Sequence, residues 1–206
     1  MFLRTQVHII FCILLLNLFG PAANSQNIDI DILRTINPQD PTSKFWQGVS
    51  DSYIFVSGTA ALGPLVVGLI KKDKDLQHKA CETILAIGIN IVATDILKTT
   101  VNRTRPADEY PNDVYAVTVS NGHSFPSGHT SLAFATATSL TLAYKKWYIA
   151  APAYLWAGCV GYSRMYLGKH YPSDVFVGAV VGTGSAFLSH WLSQKLFRPK
   201  QINTNQ

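Results

Sequence analysis

The stretch SFPSGHT at 124–130 leads directly into the apolar run SLAFATATSLTLAY at 131–144. That run is too long for a strand and does not alternate with a period of two, so it predicts a helix. Pro126 suits the first turn of a helix, and Ser127 suits its cap. Gly128 and His129 need another explanation, because a helix start requires neither residue. The stretch therefore predicts a helix whose N-terminus has a further role.

Four other apolar runs accompany this one, and together the five cover approximately 53–70, 80–97, 129–144, 147–162 and 173–194. Of the 206 residues, 48% are hydrophobic and only 14% are charged, whereas about 25% are charged in an average soluble protein. The prediction is an all-α helical-bundle membrane protein with about five transmembrane helices. The bundle is predicted to occupy 53–200, and a polar tail follows at 201–206.

Residues 1–25 have the pattern of a secretory signal peptide. Arg4 precedes a short apolar stretch at 8–20, and small residues follow as far as Ser25. A spanning helix needs about 20 apolar residues, so the length favours cleavage after Ser25. If 8–20 is retained instead, it forms a first transmembrane helix and the number of spans becomes six. Residues 26–52 are predicted to be an amphipathic interfacial segment.

The basic residues lie in short clusters between the apolar runs. Clusters at 71–79, 145–146 and 195–200 follow the first, third and fifth runs. The positive-inside rule places such loops in the cytoplasm, which agrees with an exported N-terminus. The loops at 98–128 and 163–172 then share the outer face. The net charge of +5 is therefore a topology signal, and no nucleic-acid partner is predicted.

The outer loops and the adjoining helix ends contain three polar motifs. They are Lys98 with Arg105-Pro106 after six residues, PSGH at 126–129, and Ser163-Arg164 followed by five residues, His170, three residues and Asp174. Each residue alone has an ordinary structural explanation, such as a helix cap or a basic flank. Together they bring three cations and a helix start to one face, and guanidinium groups and free helix amides both bind oxyanions. The set predicts an anion site.

In order and spacing, these motifs resemble the signature of the type 2 phosphatidic acid phosphatase superfamily, which includes class A acid phosphatases and vanadium haloperoxidases. Every signature position between 98 and 174 is occupied. The resemblance implies that His170 is the nucleophile, that Asp174 orients it, and that His129 is the general acid and base. It implies that phosphate is bound by Lys98, Arg105, Ser127, Gly128 and Arg164. It implies neither a metal nor a cofactor.

These expectations describe a multi-pass enzyme of a bacterial inner membrane, with its active site facing the periplasm. It would hydrolyse lipid phosphate or diphosphate esters through a phosphohistidine intermediate, without a metal. The expected substrates are undecaprenyl diphosphate, lipid A phosphates or phosphatidylglycerophosphate, and the first two rank equally. The alternatives are a soluble periplasmic acid phosphatase of the same superfamily, a vanadium haloperoxidase, and a membrane binding or assembly protein on the same scaffold.

Overall fold

A computed structural model describes residues 22–118 and 122–197 of the chain. The helices are α1 (Ala22–Ile36), α2 (Lys44–Ile70), α3 (Lys74–Val101), α4 (Pro106–Glu109), α5 (Gly128–Tyr144), α6 (Trp147–Tyr166) and α7 (Pro172–Phe197). No strand occurs in these two described ranges, and the predicted all-α bundle is confirmed. The apolar stretch at 8–20 and the tail at 201–206 lie outside the described residues.

The five long helices follow the five apolar runs of the sequence. Three of them, α2, α3 and α7, are long and apolar enough to cross a membrane. Their outward side chains include large apolar groups such as Phe55, Ile91 and Phe176, which are more than half exposed. Large exposed apolar side chains in such number are typical of helices that contact lipid. The fold is that of a helical membrane protein.

Helix α5 is the central helix of the bundle and is rich in small residues. It contacts α2, α3, α6 and α7, and three of its alanines are completely buried. Its contact with α7 is closest at Gly178 and Gly182, where an added Cβ would meet the carbonyl oxygens of Ser127 and Ser131, respectively. Small residues allow helix backbones to approach this closely. The N-terminus of α5 is therefore fixed against the first turns of α7.

The basic turns and the three motifs lie at opposite ends of the bundle. The turn at 71–73 joins α2 to α3, and the turn at 145–146 joins α5 to α6. The ammonium group of Lys79 lies 5.3 Å from the centre of the Tyr144 ring, which brings these two turns together. The end of α3, the start of α5, the end of α6 and the start of α7 meet at the other end.

Residues 26–52 form parts of two helices and the link between them. Helix α1 ends at Ile36 and α2 begins at Lys44, because Pro38 and Pro41 in the link cannot continue a helix. The inward face of α1 packs on the loops that follow α4 and α6 in one hydrophobic cluster: Ile30, Leu33, Val114 and Tyr171. The interfacial location of this segment stays a prediction, but α1 itself packs on the protein.

Candidate active site

The three motifs meet at one end of the bundle. Lys98 lies in the last turn of α3, Arg105 precedes α4, Ser127 precedes α5, Arg164 lies in the last turn of α6, and Asp174 lies in the first turn of α7. The backbone amide of Ser127 donates to the carbonyl oxygen of Asp174 at 3.0 Å, and that of Ser124 donates to Arg103 at 2.8 Å. The second motif is thus joined to the third motif and to the first through main-chain hydrogen bonds.

His170 and Asp174 form a buried pair at the centre of the site. Nδ1 of His170 lies 3.6 Å from Oδ2 of Asp174, and the two residues are 2% and 0% exposed. The same Oδ2 accepts hydrogen bonds from the Tyr171 amide at 2.9 Å and the Ser124 hydroxyl at 2.5 Å. Burial lowers the pKa of His170 to about 4. The imidazole is therefore neutral near pH 7, as a nucleophile must be.

Lys98 and Arg105 bring positive charge to this pair. Nζ of Lys98 donates to the carbonyl oxygen of His123 at 2.9 Å. Nη1 of Arg105 donates to the carbonyl oxygen of Lys169 at 2.9 Å and lies 3.5 Å from Nε2 of His170. Both side chains are bound by neutral carbonyl groups, so their charges are positioned without being neutralised.

Arg164 supplies a third charge from α6. Its Nη1 donates to the hydroxyl of Ser50 at 2.6 Å, and its buried Nε has no hydrogen-bond partner. Buried polar groups are nearly always hydrogen-bonded, so this donor keeps a hydrogen-bonding capacity that the described residues do not use. Within the part of the chain that the structure describes, Lys98, Arg105 and Arg164 form no ion pair. The three cations together suit an oxyanion.

The start of α5 lies next to Lys98. Ser127 is the N-cap residue, yet its hydroxyl accepts from Thr130 at 2.9 Å and makes no capping bond. The first amides of a helix have no partners within it, so they remain available for an anion. A Cβ added to Gly128 would lie 3.8 Å from Cε of Lys98. Gly128 therefore leaves open the space between the helix start and the lysine.

His129 lies in the first turn of α5, and its ring packs on Tyr53 of α2. The structure thus brings both histidines, the aspartate and all five predicted phosphate ligands to one end of the bundle. Sequence reasoning included Ser127 as part of the phosphate cradle. Its amide donates to the carbonyl oxygen of Asp174, so only its hydroxyl, which accepts from Thr130, is left to donate to a phosphate.

Several neighbours of the site were not predicted from the sequence. Nη1 of Arg103 donates to Oδ1 of Asp174 at 2.9 Å, and its Nη2 donates to Oδ2 of Asp29 at 2.9 Å. Arg103 is one of the six residues between Lys98 and Arg105, and the first motif does not specify which residue types occupy those positions. Asp29 is 74 residues away, and no periodicity could indicate that contact. Ser124, just before the second motif, could have been suspected from its position alone.

A cavity of about 270 Å³ opens beside Arg105. Its polar lining includes Arg105, Asp108, Thr118 and Lys169. Burial, together with Arg164 and Arg105, lowers the pKa of Lys169 to about 8, and Nζ donates to the hydroxyl of Thr118 at 2.8 Å. The site therefore adjoins a space of mixed polar and apolar lining, to which two basic side chains contribute.

Known proteins resemble this chain in sequence. The family model of the PAP2 superfamily matches residues 79–198, more than half of the chain. The lipid A 4'-phosphatase of Bacteroides thetaiotaomicron is 30% identical over 131 residues, 59% of this chain and 58% of that protein. An undecaprenyl-diphosphatase of Sulfolobus acidocaldarius is 32% identical over 125 residues, 60% of each protein. This chain therefore spans less than two thirds of the length of either relative.

A solved structure has the same fold. The crystal structure of Aquifex aeolicus LpxE matches with a TM-score of 0.64 and 32% sequence identity. The match covers 80% of this chain and 95% of that one. The likeness therefore extends over most of the bundle, beyond the helix ends that carry the three motifs.

Proposed function

Because the chain belongs to the PAP2 superfamily, we propose that it is a lipid phosphatase that hydrolyses phosphate or diphosphate esters through a phosphohistidine intermediate. The observation that carries the proposal is the meeting of the buried His170–Asp174 pair with three cations that pair with no carboxylate in the described residues. A phosphoryl group has three nonbridging oxygens and gains charge stabilisation from such donors as it is transferred.

In the first step, Nε2 of His170 attacks phosphorus, and the bond from phosphorus to the leaving oxygen breaks. Asp174 accepts a hydrogen bond from the Nδ1–H group and stabilises the positive charge that develops on the ring. His129 donates a proton to the leaving oxygen. The nonbridging oxygens are bound by the proposed phosphate-binding set: Lys98, Arg105, Ser127, Gly128 and Arg164.

In the second step, His129 is neutral and acts as a base. It takes a proton from a water molecule, whose oxygen attacks phosphorus. The bond between phosphorus and Nε2 of His170 breaks, the electron pair returns to the nitrogen, and inorganic phosphate leaves. Every proton and electron pair is accounted for by these two histidines, and the proposed reaction is metal-independent.

The active site is proposed to face the periplasm from a bacterial inner membrane. The basic turns lie at the opposite end of the bundle from the site, and basic loops favour the cytoplasmic side. A substrate would then enter from the outer leaflet. The names of the relatives support lipid A phosphates and undecaprenyl diphosphate as the first substrates to test.

Phosphate release by the full chain in detergent tests this function. The substrates are lipid A, undecaprenyl diphosphate, phosphatidylglycerophosphate and a soluble aryl phosphate, each with and without EDTA. We expect release from a lipid that His170→Ala abolishes, that His78→Ala at the opposite end of α3 leaves unchanged, and that EDTA does not affect. Release from the aryl phosphate alone would favour the acid phosphatase alternative. A folded protein that releases no phosphate would contradict the proposal.

A further inference from the structure

The guanidinium group of Arg103 connects the His170–Asp174 pair with helix α1. It lies between two carboxylates, with Nη1 at 2.9 Å from Oδ1 of Asp174 and Nη2 at 2.9 Å from Oδ2 of Asp29. Its side chain is 16% exposed, and those of the two aspartates are 0% and 8% exposed. Its Cζ lies 3.7 Å from the centre of the Tyr171 ring. Arg103 is therefore held on three sides.

Asp29 also binds the residue that directly precedes Asp174. Its Oδ1 accepts from the backbone amide of Ser173 at 3.0 Å, and its Oδ2 accepts from the hydroxyl of the same serine. Nη1 of Arg103 donates to that hydroxyl as well, at 2.7 Å. One carboxylate of α1 thus fixes both the guanidinium that binds Asp174 and the first turn of the helix that carries it.

The two oxygens of Asp174 have separate partners. Oδ1 is bound by Arg103, whereas Oδ2 faces His170 and accepts from Tyr171 and Ser124. Rotation of the carboxylate plane would break the contact with Arg103, so the guanidinium helps to hold the other oxygen toward the imidazole. A carboxylate that orients a histidine acts through this kind of fixed geometry.

Charge gives Asp29 a second effect. Arg103 with Asp174 alone would form a neutral pair, and the guanidinium would draw charge away from the side that faces His170. With Asp29 included, two carboxylates share one cation and the group keeps a net negative charge. A negative group beside the imidazole favours the positive charge that forms there during transfer. Asp29 therefore leaves Asp174 able to stabilise His170.

We propose that Asp29 and Arg103 are positioning residues for the reaction, and that helix α1 is thereby part of the catalytic apparatus. The inference rests on the proposed phosphatase function and deepens it. According to this inference, helix α1, which lies outside the three motifs, holds Asp174 in the orientation that the reaction needs.

Helix α1 offers a matched control, because it has an ion pair that does not touch the catalytic pair. Nη2 of Arg34 lies 2.6 Å from Oδ2 of Asp113, and both side chains are nearly half exposed. Arg34→Gln removes a contact that docks α1 on the outer loops, whereas Asp29→Asn removes one that also reaches Asp174. A role in docking alone would make these two variants behave alike.

The first experiment compares kcat and KM of the full-length variants with the best lipid substrate. We expect Asp29→Asn to lower kcat about tenfold or more, because small misplacements of catalytic groups have effects of this size. KM should stay within about twofold, and Arg34→Gln should leave kcat within the same margin. Arg103→Lys should retain more activity than Arg103→Met. Adding Asp29→Asn to Arg103→Met should cause a smaller loss than Asp29→Asn causes in wild type, since the effects of coupled residues are not additive.

Binding of inorganic orthovanadate gives a measurement that does not need turnover. Vanadate accepts a fifth ligand and so imitates the transferring phosphoryl group, and its affinity is sensitive to the position of the nucleophile. Asp29→Asn should weaken vanadate binding relative to wild type and to Arg34→Gln. Equal effects of Asp29→Asn and Arg34→Gln on kcat, or a change in KM alone, would overturn this inference. Phosphate release by the wild-type protein would still uphold the proposed function in that case. Wild-type protein with neither phosphate release nor vanadate binding would overturn both.

Discussion

The imidazole ring of His129 stacks on the phenol ring of Tyr53, with centroids 3.8 Å apart and ring planes inclined by 31°. Tyr53 belongs to α2, whereas His129 lies in the first turn of α5. The contact limits the orientations of the imidazole without using a ring nitrogen. Both nitrogens therefore remain available for the proton transfers that the proposed function assigns to His129.

Removal of this aromatic contact should slow catalysis. Tyr53→Ala gives the imidazole more rotamers, and we expect kcat to fall about tenfold, because the proton donor must lie within hydrogen-bond reach of the leaving oxygen. Tyr53→Phe keeps the ring and should retain activity within about threefold of wild type. The measurement is kcat with a lipid phosphate. Equal activity of the two variants would show that stacking is unimportant.

Loss of His129 should separate the two chemical steps. With 4-nitrophenyl phosphate the leaving group departs without a proton, so His129→Ala should still form the phosphohistidine. Hydrolysis of the intermediate should slow by about 10²–10⁴-fold, the usual contribution of a general base. Rapid mixing should then show a burst of nitrophenol equal to the enzyme concentration. His170→Ala is the control and should give no burst; a burst from that variant would contradict the assignment of the nucleophile.

The low pKa of His170 predicts how activity depends on pH. Burial lowers this pKa to about 4, so His170 should remain a neutral nucleophile throughout the range from pH 5 to 7. Its contribution to kcat/KM should decline only as the pH approaches about 4. The measurement is the pH profile of kcat/KM for wild type. A decline of kcat/KM centred near pH 6.5, the ordinary pKa of histidine, would contradict the assignment of His170 as a neutral nucleophile. The control is His129→Asn, which shows whether the decline comes from His129 instead.

The same shift predicts how stability depends on pH. An unfolded imidazole takes up a proton below about pH 6.5, whereas buried His170 does so only near pH 4. Between these two pH values the unfolded state binds more protons than the folded state. The free energy of unfolding should therefore rise by about 3 kcal/mol from about pH 4 to pH 6.5, and the same amount is lost as the pH falls. Tm measured over this range should change less for His170→Asn than for wild type. Parallel curves would contradict the prediction.

The contact between α5 and α7 should not tolerate an added methyl group. A Cβ at Gly178 would lie 2.7 Å from the carbonyl oxygen of Ser127, whereas a Cβ at Gly184 of the same helix has no atom within 4 Å. We expect Gly178→Ala to destabilise the protein by about 1–3 kcal/mol, as overpacking does. Gly184→Ala is the matched control and should be neutral or stabilising. Thermal unfolding in detergent measures both, and equal Tm values would contradict the expectation.

The helices of this bundle could be predicted because each must present an apolar face to lipid or to its neighbours. The runs at 129–144 and 147–162 correspond to α5 and α6, since the two lysines between them mark the turn. The motif spacing likewise indicated which basic residues would meet: Lys98, Arg105 and Arg164 all lie at helix ends on one side of the bundle. Helix ends are determined by local sequence, so the meeting of these basic residues could be predicted from the sequence.

The residues that hold Asp174 in place could not be predicted from the sequence. Arg103 and Asp29 meet through tertiary folding across 74 residues, and an isolated ion pair of that kind leaves no period or spacing to detect. Residues 26–36 of helix α1 were predicted as part of an amphipathic segment, and 22–25 as the end of a signal peptide. Amphipathicity does not indicate whether the apolar face will cover lipid or protein. Its cluster with Val114 and Tyr171 depends on how loops fold over the helix ends.

The glycines of α7 also fix the register between α5 and α7. A slide of one turn along the contact would bring the Cβ of Asp174 or Ala186 to a position where only glycine fits beside a carbonyl oxygen of α5. Steric exclusion therefore opposes sliding, and the main-chain hydrogen bond from Ser127 to Asp174, at 3.0 Å, adds a second constraint at the same contact. The turn that we propose to bind the anion and the carboxylate that we propose to orient His170 are thus aligned when the chain folds, which would leave little reorganisation for the reaction to make.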